Sequence, residues 1–536
     1  MIAFMSHRWV FRLVLLAAAV LLLVRTGSVP IMDPDEARYA RTSLEMLRSG
    51  DLVVPTFEGL PRVVKPPLLH WLHIPLFRLF GTGEWVVRLP SALSTLMAIW
   101  ITGWIARRRF GEEGAVWAAV FMTTSFLVMC IGRLNTLDAL LAVHVLAVIA
   151  LDIAEPEEVG RYRSLVVGCL LGLAFLAKGP VGVIVPLLVI LAGRTAAGRP
   201  VIPSLSGVLR TLAGWCAVVL PWGLVFMKRV GSGSTGSLLN DEVLERFFGE
   251  PSHMRPPWYY AGVLLVGFMP WVAPLAVGLF RVAFLGRGKK ARTGLYAGAG
   301  LLAGLLFFSL SSGKLPTYIL PLAPLVAILV TWELGQELQT PHERRFASGL
   351  LAGTMAAFGA LLAVVSALDL PVAAGATALA GAGVFIAGSI FGFVGVLRHR
   401  PRQVYGAAAV ASGLFLLLVM TIFLPALART RSSLSLLEAV PEVGSGRPVI
   451  VVAMKLPSLT WYLDQTPEKR ELDQVQERMD RDDAVVLVMD RRDIPALGAG
   501  TLRRLHEIGS FEKYVILEEI ENKPNNKPEM EKLSIP

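Results

Sequence analysis

A few carboxylates and cations stand in this sequence where long apolar stretches begin or end. Asp33, Asp35 and Glu36 lie in Met32-Asp33-Pro34-Asp35-Glu36-Ala37-Arg38-Tyr39, and Asp138 lies in Arg133-Leu134-Asn135-Thr136-Leu137-Asp138. Carboxylates favour helix N-termini, and capping accounts for Asp33 or Asp35. It does not account for both together with Glu36 and a second loop carboxylate. A carboxylate beside a bound hydroxyl can orient it or take its proton as a general base. The cations are Arg133, Lys178 and Lys314, each in a short loop, and Lys65, which precedes Pro66-Pro67. Any one of them could snorkel from a helix end to a headgroup. Four at one membrane level point to an anionic ligand, and phosphate is the anion most readily found there. One such pair at about 4 Å and an effective dielectric near 20 is worth about 4 kcal/mol before desolvation. Several together would stabilise a phosphate as it leaves. His70 and His73 share a helical face, a spacing compatible with a metal, but a zinc site needs further ligands in fixed geometry. With Trp71, Leu72 and Leu76 around them, packing is the better reading, and no metal ligand set is assigned.

The elements that would position these residues are membrane helices. Of 536 residues 54% are hydrophobic and 17% charged, with a mean hydropathy of +0.59. A soluble protein carries about 25% charged residues. Apolar runs of span length recur, and about thirteen can be drawn: 10–30, 86–106, 114–131, 137–153, 165–177, 180–193, 206–227, 258–280, 294–311, 318–336, 346–368, 371–397 and 404–426. No A-x-A-like cleavage site closes the first, so it is expected to remain as a helix. The net charge of +10 does not indicate nucleic acid, because the basic residues sit at the ends of apolar runs. Cys130, Cys169 and Cys216 all fall within spans, which argues against a disulfide framework or a thiolate metal site.

Alternate loops carry the basic residues: Arg8 and Arg12; Arg107, Arg108 and Arg109; Arg161 and Arg163; Arg194 and Arg199; Arg281, Arg287, Lys289, Lys290 and Arg292; Arg344 and Arg345; Arg398, Arg400 and Arg402. The positive-inside rule makes these loops cytoplasmic. The N-terminus is then cytoplasmic and the region after the last span extracytoplasmic. Residues 1–427 form the membrane domain, with outer loops 31–85 and 228–257 forming its reactive face. Residues 428–520 are expected to form a small α/β domain, with strands at 448–453, 484–489 and 514–518 and a helix at 501–509. It shows no catalytic constellation and suits a lid or docking element. The tail 521–536, rich in Lys, Asn, Pro and Glu, has the composition of disorder. Within the first outer loop, 35–49 and 65–80 read as helices lying in the interface plane. The first has Ala37, Ala40, Leu44 and Leu47 on one stripe and Glu36, Arg41, Glu45 and Arg48 elsewhere.

Asp35-Glu36-Ala37-Arg38-Tyr39, Met46-Leu47-Arg48-Ser49-Gly50-Asp51 and Lys65-Pro66-Pro67-Leu68 together resemble the first outer loop of bacterial glycosyltransferases of the ArnT and protein-O-mannosyltransferase superfamily, which have the GT-C fold. The resemblance runs in order through Arg88-Leu89-Pro90-Ser91, Leu137-Asp138, Ala177-Lys178-Gly179-Pro180, Glu245-Arg246-Phe247, Pro257-Trp258-Tyr259-Tyr260 and Lys314-Leu315-Pro316-Thr317-Tyr318-Ile319-Leu320-Pro321. It implies an inverting transfer of sugar from a polyprenyl-phosphate carrier to an envelope glycolipid such as lipid A, a polysaccharide or a protein. By the same resemblance, Asp35 is the essential aspartate, Asp138 a second acidic residue, and Lys65 a contact to the carrier phosphate. Arg246 and Tyr318 fall near the lipid-phosphate end of the donor. Arg133 and Lys314 join the phosphate set on charge and position, and Glu36, Arg38, Tyr39 and Lys178 complete the active-site group.

In the aminoarabinose branch a glutamate before the Lys-Pro-Pro and a histidine in the second long loop bind zinc. Val64 and Val243 stand at those places here, with His253 out of register, so no metal or other cofactor is expected. The rival reading is a transporter or flippase. Such proteins gather ionisable residues near the midplane, often in repeated halves, whereas these charges gather at the outer face. The topology is directly testable: a reporter fused after residue 430 should be active only outside the cytoplasm, and one fused within 287–290 only inside. A cytoplasmic signal after residue 430 would overturn both the span count and the placement of every residue above.

Overall fold

A computed structural model describes residues 6–62, 64–153, 162–230, 254–284, 291–335, 340–440, 448–454, 456–480, 485–511 and 514–519. The chain divides into two compact units. The first comprises Met1–Gly27, Ser43–Thr56 and Pro61–Leu424, and the second Ser28–Thr42, Phe57–Leu60 and Pro425–Pro536.

The first unit is helical and apolar. Among the described residues eight helices are long and apolar enough to cross a membrane, or nine if the bent pair Phe126–Gly132 and Leu137–Ile153 is one span. Thirteen separate spans are therefore not resolved, for identifiable reasons. The helix α1 is His7–Leu23, and the third expected span, 114–131, does not exist as one helix. Helix α4, Glu84–Thr123, has 40 residues and breaks at Gly111, where φ is +78°. At 1.5 Å per residue it would be about 60 Å long, twice a bilayer core, so it holds two crossings. After it the short α5, Phe126–Gly132, meets α6, Leu137–Ile153, at a 118° bend. The span expected at 258–280 is likewise two helices, Tyr259–Gly267 and Val272–Phe284.

Loops of the same alternate set are bonded to one another. In the basic set Arg8 pairs with Glu112 at 3.0 Å, Arg402 holds Glu113 through Nε at 2.6 Å and a second nitrogen at 2.7 Å, and Arg281 reaches Glu343 at 3.4 Å. Asp152, at the end of α6, accepts from Arg194, Arg163 and the Tyr296 hydroxyl at 2.5, 3.3 and 2.8 Å. In the other set, Arg25 donates to the Thr421 carbonyl at 3.0 Å, Trp222 to that of Val53 at 3.0 Å, and Arg229 pairs with Asp51 at 2.9 Å.

Glycines set the tightest helix contacts, as membrane helices without a hydrophobic drive between them require. Helix α7, Arg163–Lys178, and helix α9, Leu205–Val230, with α8, Val181–Ala196, between them in the chain, approach so closely that a Cβ on Gly168 would sit 2.0 Å from the Thr211 carbonyl oxygen. One on Gly214 would sit 2.3 Å from that of Leu165.

The second unit carries a five-stranded sheet. Its strands are β1 Val449–Val452, β2 Glu468–Arg470, β3 Val486–Asp490, β4 Leu505–Phe511 and β5 Tyr514–Glu519, in the spatial order β2-β1-β3-β5-β4. The first three are parallel and the last two antiparallel, with Leu487 opposite Leu517 and Ile450 opposite Glu468. Every residue of β1 and β3 is buried, as strands covered on both faces should be. The helix expected at 501–509 is a correction. Only Ala499–Leu502 is helical, and Leu505–Phe511 is a strand, because a seven-residue segment with Leu505 in the core finds an antiparallel partner in β5, with a bulge between Glu507 and Gly509. This unit also takes in Ser28–Thr42 and Phe57–Leu60, pieces of the first outer loop that the sequence alone assigns to the membrane domain.

Gly168→Ala should destabilise the protein by about 1–3 kcal/mol, since the extra carbon meets a backbone carbonyl that cannot move without its helix. Thermal unfolding in detergent would read this, and an unchanged midpoint would mean that α7 and α9 are not packed this closely.

Candidate active site

The sharpest feature of the first unit is a buried ion pair. Asp138 lies in the first turn of α6 and Lys178 in the last turn of α7, where carboxylate and ammonium each complement the local helix dipole. Lys178 Nζ donates to the Asp138 carboxylate, and both side chains are about nine-tenths buried, at 8% and 10% exposure. The same ammonium lies 4.4 Å from the centre of the Tyr318 ring, which offers its negative π face. Tyr318 belongs to a 3₁₀ segment, Pro316–Leu322. Three residues that the sequence marks separately, 40 and 140 positions apart, thus meet as one cluster.

Two motif segments are brought together beside it. The Tyr260 hydroxyl donates to the Leu315 carbonyl at 3.3 Å, Met254 and Gly313 form an isolated antiparallel bridge, and Phe308 packs between the rings of Tyr260 and Tyr318 at 6.3 and 6.2 Å. Lys314 Nζ donates to the carbonyls of Arg255, at 3.0 Å, and Ser311. An ammonium has three donors, so one N–H of Lys314 is left without a partner among the described residues.

Arg133 has a different occupation. Its guanidinium is 1% exposed and donates to the carbonyls of Leu21 at 2.5 Å and Val24 at 2.6 Å, the end of α1. Those carbonyls have no intrahelical donor, which is reason enough for a cation there. Lys65 is 7% exposed just ahead of α3, Leu68–Phe80. Arg246 and the positions Val243 and His253 lie outside the described residues.

In the second unit, helix α2, Asp35–Ser49, begins with the acidic motif. Asp35 is half exposed, at 51%, and accepts from Arg38 at 3.3 Å. Glu36 is buried and accepts from the Met32 backbone N–H at 3.1 Å, and Tyr39 is buried as well. Asp33 accepts from Ser458 twice, from the backbone N–H at 2.7 Å and from Oγ at 2.5 Å. Burial pushes its carboxyl up to about 6, against those two hydrogen bonds and Arg38, which hold it down. Arg41, off the apolar stripe in sequence, is buried because its guanidinium pairs with Asp464 at 2.8 Å and reaches the Thr460 carbonyl at 3.4 Å. No sequence signal marks Ser458, Thr460 or Asp464 as partners. They become visible only when the unit is folded.

Residues 64–223 match the family described as dolichyl-phosphate-mannose-protein mannosyltransferase. Among curated relatives, the undecaprenyl phosphate-alpha-4-amino-4-deoxy-L-arabinose arabinosyl transferase of Edwardsiella ictaluri (strain 93-146) is 32% identical over 305 residues, covering 56% of this chain and 55% of that protein. A transferase of the same description, numbered 2, from Pseudomonas fluorescens (strain Pf0-1) is 33% identical over 356 residues, covering 65% and 64%. The chain thus spans 55–64% of the length of these two relatives. The crystal structure of ArnT from Cupriavidus metallidurans bound to undecaprenyl phosphate matches with a TM-score of 0.78 at 22% identity, covering 97% of this chain and 99% of that one.

The fold is that of ArnT. The GT-C resemblance drawn from the outer-loop motifs therefore holds, and the ArnT-like topology extends through the C-terminal sheet that those motifs do not reach.

Val64, just before Lys65, is exposed at 38%, and His70 and His73 beyond it are buried and closed on a serine. Ser43 Oγ lies 2.7 Å from His70 Nδ1 and 2.8 Å from His73 Nδ1, and His73 Nε2 lies 2.9 Å from the Val87 carbonyl. Neutral His73 must therefore carry its proton on Nε2 and accept from the serine, and His70 must donate to the serine from Nδ1. At least three of the four ring nitrogens are committed to protein groups. Burial depresses both rings, His70 to about 3 with help from His73 and Arg62, and His73 to about 4 against the Val87 bond.

The linkage has a definite sign. The unfolded rings take up protons below about pH 6.5 and the folded ones do not. This contribution to stability is complete above 6.5 and is lost as pH falls towards 4 and 3. The slope is about 1.4 kcal/mol per pH unit per ring. Unfolding midpoints between pH 7 and 5 should fall on acidification, and more shallowly for His70→Gln. Equal slopes would show that the pair is not buried neutral.

Proposed function

We propose that the chain is an inverting glycosyltransferase of the inner membrane that moves a sugar from a polyprenyl-phosphate carrier to an extracytoplasmic acceptor. The observation that carries this reading is the match over 97% of the chain to an ArnT whose structure holds undecaprenyl phosphate, in a chain whose own motifs supply a carboxylate and several cations. The N-terminus is cytoplasmic and the C-terminal unit extracytoplasmic in this reading.

Asp35 acts as general base. It takes the proton of the acceptor hydroxyl as that oxygen attacks the anomeric carbon, the bond from carbon to phosphate oxygen breaks, and the electron pair leaves with the polyprenyl phosphate. Partial exposure suits that role better than the burial of Glu36, which is bonded to the Met32 N–H. Lys65 is the contact to the departing phosphate, with Lys314 and Tyr318 at the donor end and Arg246 joining them by motif. Lys178 is held to Asp138, so this pair orders the site instead of binding phosphate directly. Arg133 leaves the phosphate set, because freeing it would strip the end of α1 and strand a charge in an apolar region.

The relatives' names give undecaprenyl phosphate and an aminoarabinose for those proteins. The acceptor here is an envelope glycolipid, polysaccharide or protein, and Val64 at a ligand position separates this chain from the zinc-binding pattern.

Asp35→Asn keeps shape and removes the base, so transfer should fall by about two to four orders of magnitude at normal membrane levels. Lys65→Ala should weaken use of the lipid-linked donor, and Lys65→Arg should rescue it only in part, because guanidinium and ammonium differ in geometry. Mass spectrometry of envelope glycoconjugates from a deletion strain carrying each variant gives the readout. Near-normal product from Asp35→Asn, or transfer from free sugar nucleotides, would defeat the proposal.

A further inference from the structure

The C-terminal sheet looks remote from chemistry in sequence, yet the loop that carries Asp35 is built into the same compact unit. Five groups of the loop are held there. Asp33 accepts both polar hydrogens of Ser458, and Ser458 Oγ in turn lies 2.8 Å from Ser433 Oγ and accepts from the Ser433 backbone N–H at 2.9 Å. The Asp33 N–H donates to the Arg431 carbonyl at 2.8 Å, and the Ile31 N–H to the Tyr462 hydroxyl at 2.8 Å. Arg41 is paired with Asp464, and Glu58 accepts from Thr460 at 2.9 Å and from Lys469. Ser458, Thr460 and Tyr462 all belong to one helix, Pro457–Leu463. That helix grips the loop on both sides of Asp35, two residues before it at Asp33 and six after it at Arg41.

We propose that Asp33 is a positioning residue, clamped by Ser458, through which the C-terminal unit holds the start of helix α2 so that Asp35 presents its carboxylate in one place. The inference rests on the reading of Asp35 as the base. Asp33 itself has its oxygens turned to Ser458, is less exposed than Asp35, and acts through the neighbour two residues on. Burying a carboxylate is costly unless it is hydrogen-bonded, so its desolvation is offset only while the serine stays in place. A misplacement of about 1 Å at a reacting group can cost on the order of a hundredfold in rate. The C-terminal unit is then a working part of the transferase, neither a passive lid nor a docking platform.

The test uses the full chain. Ser458→Ala removes the hydroxyl and keeps the backbone N–H, Ser458→Thr keeps both, and Ser433→Ala leaves both bonds to Asp33. In purified protein, hydrogen exchange over residues 31–40 should rise about tenfold in Ser458→Ala and stay at the wild-type rate in Ser458→Thr and Ser433→Ala. In the deletion strain, at matched expression, product should fall by about tenfold or more in Ser458→Ala and return with Ser458→Thr. Because the clamp acts through Asp35, Asp35→Asn combined with Ser458→Ala should make no less product than Asp35→Asn alone. If Ser458→Ala fails to accumulate, Asp33→Ala read against Asp33→Asn replaces it, since the amide can still accept from the Ser458 N–H. Faster exchange with undiminished product overturns the inference and leaves the function standing. Additive losses in the double variant overturn it too. Full product from Asp35→Asn overturns the proposed base itself, and the exchange data then report only how the loop is held.

Discussion

A hydrocarbon layer cannot solvate charge, and that constraint decides where every ionisable group in the first unit can stand. A charge inside such a layer must be paired or must reach an end. Asp152 meets this by accepting from arginines of adjoining loops and from Tyr296, Glu333 by accepting from the Tyr405 hydroxyl at 2.7 Å, and Asp138 by holding Lys178. The first two lie in the neighbourhood of basic loops and tie helices together. The third lies at the opposite ends of its helices, among the motif residues, and is the one whose surroundings include an aromatic face.

The same constraint separates cations that look alike in sequence. In the sequence, Arg133, Lys178 and Lys314 all fall in the set of short connections that carries few basic residues. Arg133 proves to answer an internal need, the unpaired carbonyls of α1. Lys178 answers a carboxylate, and Lys314 anchors the loop between two motif segments, with one N–H left without a partner among the described residues. A helix end short of donors and a phosphate ask for the same group, so residue type and loop position cannot tell them apart.

The second unit shows why a short loop can depend on residues hundreds of positions away. A short acidic segment between two apolar stretches has no core of its own. Ser28–Thr42 buries Ala37 and Ala40 completely and satisfies Asp33, Ile31 and Arg41 with groups from Pro457–Asp464. The sheet supplies what such a segment lacks: two buried parallel strands and a short helix at whose surface backbone and hydroxyl groups are available.

What the sequence determined by itself follows from local rules. Apolar length and basic alternation give membrane helices and two opposed sets of loops, because burial in lipid and loop charge act residue by residue. The 3.6-residue stripe and the acidic start give α2 at Asp35–Ser49, and the Lys65-Pro66-Pro67 punctuation gives α3. The same motifs point to the GT-C fold and to Asp35, Asp138 and Lys178 as residues to watch. The tertiary structure alone decided that α4 breaks at Gly111, that Leu505–Phe511 pairs as a strand, and that Asp138 and Lys178 are partners. It alone sent Arg133 to the end of α1 and Asp33 to Ser458. The reason is common to all of these. Each outcome turns on which buried polar group or sheet edge is left without a partner after the chain has packed, and that need belongs to no single stretch of sequence.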